Sequence, residues 1–165
     1  MTTLNQNAHM IVSAFRADET LETNQRRQKY LLKRLNELGL QVAAVGTGSF
    51  QEDGQAKPSI EESIAVFGPY HALVNTLRPM MFKEFNQDAV LYVIGDLFGP
   101  VNYALLMRSN GDSVGLGSFS KVDKVIAHQY NAYSEFNGDF YVCRDTGRTL
   151  MDAIHHNIEI HSVAA

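Results

Sequence analysis

Apolar residues in this chain gather into short runs and helical stripes separated by polar turns. His9 to Phe15, HMIVSAF, is a short run rich in β formers and predicts a first, central strand. The segment TLETNQRRQKYLLKRLNELG follows. There Leu21, Tyr30, Leu31, Leu35 and Leu38 recur near the helical period, and Gly39 supplies a stop. Gln41 to Phe50 predicts a second strand that loosens at Gly46 and Gly48, and Ile60 to Phe67 a third. Leu73, Leu77, Met81 and Phe85 stand four residues apart on a second helix, which Pro79 should kink or split because proline lacks an N–H. Asp88 to Ile94, DAVLYVI, is the most strand-like segment of all.

The order β-α-β-β-α-β is the split βαβ arrangement. It predicts an α+β fold with a ferredoxin-like core: a mostly antiparallel sheet with two helices on one face. Extra C-terminal strands extend it. NYALLMR and SVGLGSF straddle Asn110-Gly111, a hairpin signal. Asp139 to Cys143 adds another strand, and Leu150 to His155 a short helix. The chain of 165 residues suits a single domain over 1–165. The uncovered sheet face calls for a cover, and self-association is a natural one in a chain this small.

Composition narrows the function. A hydrophobic share of 45% supports a core, and a net charge of −4 argues against a nucleic-acid surface. Arg26, Arg27, Lys29, Lys33 and Arg34 cluster at helical spacing and read as a solvated helix face. The lone Cys143 permits no intrachain disulfide, which suits a reducing compartment. MTTLNQNAHM has no apolar signal core, and no run approaches the roughly 20 residues that span a bilayer. The expectation is a soluble, cytoplasmic protein with no membrane partner.

Familiar chemical signatures are absent: there is no G-x-G-x-x-G, no P-loop lysine and no G-x-S-x-G elbow. Cys143 within FYVCR reads as a buried small residue rather than a nucleophile. In HHNIEIH, His155, His156, Glu159 and His161 are the best metal candidates, but surface polar residues are the favoured interpretation, and no metal is expected. TGSFQEDGQAKPSIEES, Thr47 to Ser63, is less ordinary. Glu61 and Glu62 stand at the mouth of an apolar strand, where carboxylates are costly to bury.

Five blocks carry a resemblance. VSAFR spans Val12 to Arg16, with Asn24, Arg27 and Leu35 spaced behind it. TGSFQEDGQAKPSIEE follows at Thr47 to Glu62. EFNQDAVL supplies Glu84, Gln87, Asp88, Val90 and Leu91. LGSFSKV lies at Leu116 to Val122, and RDTGR at Arg144 to Arg148. In this order the chain resembles the phage-encoded S-adenosylmethionine lyases of T3-like coliphages, long called SAM hydrolases. The resemblance implies a core related to PII-type proteins and homotrimers with active sites where subunits meet. It also implies removal of S-adenosylmethionine in the host-cell cytoplasm, which disarms restriction systems that need it. Glu61 takes the place of the family's essential glutamate. Phe50 stands where the family has tyrosine, so a hydroxyl is missing and ring stacking or packing remains. Gly48 and Ser49 beside it, with Ser13, Ala14 and Phe15 of VSAFR, are the implied substrate-binding residues. No cofactor is implied, because S-adenosylmethionine is the substrate.

The chemistry needs little from a protein. The substrate's own carboxylate can attack its γ-carbon and expel a neutral thioether, giving 5′-methylthioadenosine and L-homoserine lactone. Glu61 then suits the α-ammonium group, while Glu62 points to the opposite face of the strand. Three alternatives stay open: a hydrolase with Glu61 as general base, a non-catalytic PII-like trimer that binds adenine nucleotides or S-adenosylmethionine, and an anti-restriction protein acting by protein contact.

Overall fold

Each apolar run becomes a strand, and the chain gains one more strand than its pattern announced. The structure, a computed structural model, describes residues 7–163 other than 52, 53 and 55, and for 157–163 the backbone alone. The first half holds β1 (Asn7–Val12), α1 (Leu21–Glu37), β2 (Gln41–Phe50) and β3 (Ser59–Pro69). It continues through α2 (Tyr70–Ala72), a π-helical turn (Leu73–Leu77), α3 (Arg78–Lys83) and β4 (Ala89–Gly95). The second half holds β5 (Asn102–Arg108), β6 (Ser113–Val122), α4 (Lys124–Ala127), β7 (Ala132–Phe136), β8 (Asp139–Arg144) and α5 (Leu150–Val163).

Local chemistry sets the helix ends. The Thr20 side chain caps α1 by accepting from the Thr23 N–H at 3.2 Å. Gly39, at φ +69°, turns the chain after it. Pro79 splits the second helical region as expected. The N–H of Arg78 reaches back to the Leu73 carbonyl, widening the turn, and Pro79 sits in the opening turn of α3, where its missing N–H is harmless. Leu73, Leu77, Met81 and Phe85 are all buried.

The expected open ferredoxin-like sheet does not form. Among the described residues eight strands close into an antiparallel barrel in the order β1-β3-β2-β7-β8-β6-β5-β4, with β4 returning to β1. The reason lies in the C-terminal strands. β7 and β8 form a hairpin whose Asn137 and Gly138 both have positive φ, as a type I′ turn requires. β7 takes the free edge of β2, and β5 takes that of β4. β6 then joins β5 to β8. Closure leaves no strand edge to aggregate.

The two sides of the wall carry different cores. Ile11, Ala65, Val93, Ala104, Phe119, Phe136 and Tyr141 point inward, with Ala44 against them. Small residues on one side of the lumen make room for large rings on the other, as a filled barrel of this size demands. Phe119 and Tyr141 stack at 5.0 Å, and Phe98 lies against Phe136 and Tyr141. Outside, Met10, Ile64, Val66, Tyr92 and Ile94 pack beneath Leu31, Leu35, Leu73, Leu77, Met81 and Ala153 of the helices. Strands β1, β3 and β4 are thus buried on both faces, which explains their unbroken apolar runs.

Candidate active site

Strand alternation decides where the two glutamates go. Ala65 lies in the inner core, so Ser63 and Glu61 share the barrel's inner face. Ile64 and Val66 lie beneath the helices, so Glu62 shares the outer one. Opposite Glu61 stands Gly48, and opposite Ser63 stands Gly46. A Cβ on Gly48 would come within 2.9 Å of Ser63 Oγ and 3.7 Å of Glu61 Oε1, while one on Gly46 would collide with the Glu135 carbonyl at 2.0 Å. The two glycines that loosen β2 therefore let β7 approach and leave space above the Glu61 carboxylate.

Burial raises the Glu61 carboxyl to about 7, and a hydrogen bond from the Ser13 side chain offsets part of the rise. Among the described residues no positive side chain acts on it. Ser13 is itself buried, and its Oγ accepts from the Phe15 N–H at 3.1 Å, which leaves the hydroxyl proton free to be directed at Glu61.

The segment that carries Ser13 has no secondary structure, yet its backbone is held atom by atom. The Ala14 N–H donates to Gln28 Oε1 at 2.8 Å, and the Ala14 carbonyl accepts from Arg27 Nε at 2.7 Å. The Phe15 carbonyl accepts from Gln87 Nε2 at 3.0 Å. Asn24 pairs with both the N–H and the carbonyl of Arg16, at 2.8 and 2.9 Å. Orphaning one such buried group costs about 1–3 kcal/mol. α1 accordingly buries Asn24, Gln28, Leu31 and Leu35 in one stripe, while Leu21, Tyr30 and Leu38 are exposed. Two polar residues head a stripe that apolar periodicity alone does not find.

Of the sequence-predicted site residues, the structure brings together Glu61, Ser13 and Gly48, and joins Phe15 to Ser13 through its backbone N–H. Phe50 lies two residues beyond Gly48 on the same face of β2, at the strand's end, and is 51% exposed. Ala14 is fully buried and both its backbone groups are engaged. Ser49 is buried on the opposite face of β2 from Gly48. Glu62 is exposed and lines an outer groove of about 260 Å³ with Gln25, Gln28, Lys29 and Leu32, across β3 from the Glu61 carboxylate.

The model of the S-adenosylmethionine lyase family matches residues 10–144, from within β1 to the end of β8. The chain belongs to the S-adenosylmethionine lyase family. No curated protein sequence matches it. Family membership makes the chain an enzyme that acts on S-adenosylmethionine, and the corner around Glu61 suits that cationic substrate. It offers a half-buried acid, a hydroxyl donor and a ring at the rim. α5 lies beyond the matched residues and docks on the barrel through Ala153 and a 2.8 Å contact of His156 with Asp96.

Sequence reasoning missed Gln28 as a site-building residue. Its signal was a polar residue four and seven positions from Asn24 and Leu35, inside the buried stripe. The HHNIEIH segment lies within helix α5. The side chains of Glu159 and His161 lie outside the described residues, and among those described no group could hold a metal ion. Among the described residues no helix is long and apolar enough to cross a membrane.

Proposed function

We propose that the protein cleaves S-adenosylmethionine to 5′-methylthioadenosine and L-homoserine lactone by intramolecular attack. One observation carries the proposal: a carboxylate raised to about 7 by burial, with no positive partner among the described residues. A half-buried charge without a partner is costly, and the substrate's α-ammonium supplies the partner. That group keeps its charge through the reaction, so the anchor costs nothing at the transition state. A contact to the sulfonium would weaken as that charge disappears. With the ammonium fixed, the aminobutyrate chain folds so that the carboxylate oxygen, γ-carbon and sulfur lie in line. The oxygen–carbon bond forms, the carbon–sulfur bond breaks with its electron pair going to sulfur, and no proton moves. Positioning of this kind is worth up to about 7–11 kcal/mol. Water excluded from the corner around Glu61 by a covering second copy also favours the merging of opposite charges.

The exposed rim residues Phe50 (51%) and Ile60 (67%) support self-association in which a second copy covers the site, and the resemblance of the sequence blocks makes the assembly a homotrimer. A light-scattering mass of three chains is the expected result, and a monomer mass contradicts it. The wider role, disarming host restriction in the cytoplasm during phage infection, rests on the resemblance of the sequence blocks.

A carboxyl near neutrality also suits a general base, and this favours hydrolysis as the second reading. The test is cleavage in ¹⁸O-water with early sampling. Lactone without label, which later opens and gains label in its carboxyl group, is the proposed outcome. Label in the homoserine hydroxyl establishes hydrolysis, and binding without methylthioadenosine release makes the protein a sensor.

A further inference from the structure

We infer that Gln28 is a positioning residue for the reaction, because its carboxamide spans the two strand ends that carry Ser13 and Glu61. The inference rests on the role given to Glu61 above and adds a residue that touches no substrate.

The ladder between β1 and β3 shows where the amide sits. Their register runs from Asn7 opposite Pro69 to Val12 opposite Ile64, and there the pairing ends. Continued by two residues, it would set Ser13 against Ser63 and Ala14 against Glu62. Gln28 occupies that last step. Its Oε1 accepts from the Ala14 N–H at 2.8 Å and its Nε2 donates to the Glu62 carbonyl at 3.2 Å. A side-chain amide thus stands in for the ladder hydrogen bond that the two backbones no longer make directly. It satisfies both groups while holding the strands apart by its own width.

The consequence falls on the inner face. Ala14 follows Ser13 and Glu62 follows Glu61, so the amide fixes the separation of the two residues whose side chains meet in the barrel. Ser13 gives Glu61 its hydrogen bond. Asn24, Arg27 and Gln87 hold the same segment but reach only the β1 side or the loop after α3. Gln28 alone among these four also grips β3. It is 3% exposed; its bond to the Ala14 N–H is buried, and its bond to the Glu62 carbonyl lies part-buried at the floor of the outer groove.

A merely structural amide would lower stability and leave the chemistry of the remaining folded protein alone. Two readouts separate the cases: kcat against KM for S-adenosylmethionine cleavage, and the titration of the Glu61 carboxyl followed by ¹³C NMR without substrate. Gln28→Met keeps the length and removes both hydrogen bonds. The expected result is a fall in kcat of about tenfold or more, since small misplacements of reacting groups are costly, with Glu61 titrating at higher pH as its Ser13 bond loosens. Leu31→Val, one turn along, serves as the stability control and should lower Tm while leaving kcat and the titration in place. Should Gln28→Met fail to fold, Gln28→Glu keeps the acceptor for Ala14 and removes the donor to Glu62, and the same shifts are expected. Folded Gln28 variants with unchanged kcat and an unchanged Glu61 titration overturn the inference. The titration needs no turnover, so it stands or falls separately from the lyase reading: a shifted Glu61 in a protein that cleaves nothing would refute the function and keep the positioning.

Discussion

Glu61 and Glu62 are neighbours in the chain, and the two faces of β3 give them different chemistry. The inner face carries Glu61 beside Ser13 and Ser63, opposite two glycines, with the carboxyl raised to about 7. The outer face carries Glu62 in an open groove under α1, where water solvates the charge and the Gln28 amide takes only its backbone carbonyl. The difference lies in the environment alone, since residue type and strand are the same. A carboxylate held away from water and counter-ions is a candidate anchor for a cationic ligand.

Four experiments test that contrast. The largest effect is expected from Glu61→Gln, which should lower turnover by at least about a hundredfold. Its stability should move the other way. The folded carboxyl is raised from its ordinary 4.5 to about 7, so the parent protein has its full stability below 4.5 and loses part of it as pH rises through 7. The amide removes that loss. Thermal unfolding at pH 8 should find the variant more stable, on the order of 1–3 kcal/mol after allowance for partial exposure. Equal losses of activity in Glu61→Gln and Glu62→Gln would erase the contrast.

Gly48→Ala comes next. Its methyl would press on Ser63 Oγ at 2.9 Å and lie 3.7 Å from Glu61 Oε1. A fall of about tenfold in kcat/KM with little change in Tm is expected, and unchanged kinetics would place the substrate elsewhere. A smaller, graded effect is expected from pH. In the free enzyme kcat/KM should rise as pH climbs through about 7, because the ionised carboxyl grips the ammonium. In kcat the limb should move to lower pH, since the bound ammonium favours ionisation. A kcat limb fixed near 7 would favour the general base. Phe50→Tyr should change least, preserving or raising turnover, because the ring stands half exposed at the rim with room for a hydroxyl.

The placement of several candidate residues was legible in the sequence because it depends on short-range geometry. Strand alternation separates Glu61 from Glu62, and Gly46 and Gly48 mark a close approach that the barrel then supplies. The barrel itself was not read, for two reasons. Asn137-Gly138 is as clear a hairpin signal as Asn110-Gly111, yet AYSEF before it alternates weakly, so β7 went unread and with it the partner of the free edge of β2. Closure also depends on which strand ends meet across the sheet, and no local pattern encodes that. Gln28 stayed hidden because amphipathic patterns count apolar residues, and here α1 serves the site with amides.

The most direct test is the Glu61 carboxyl pKa, measured by ¹³C NMR with and without S-adenosylhomocysteine, which keeps the α-ammonium and lacks the sulfonium. A value near 7 in the free protein that falls by two units or more on binding, and stays put with a deaminated analogue, is the predicted result. An ordinary value in the free protein, or one that both ligands leave unmoved, would contradict it.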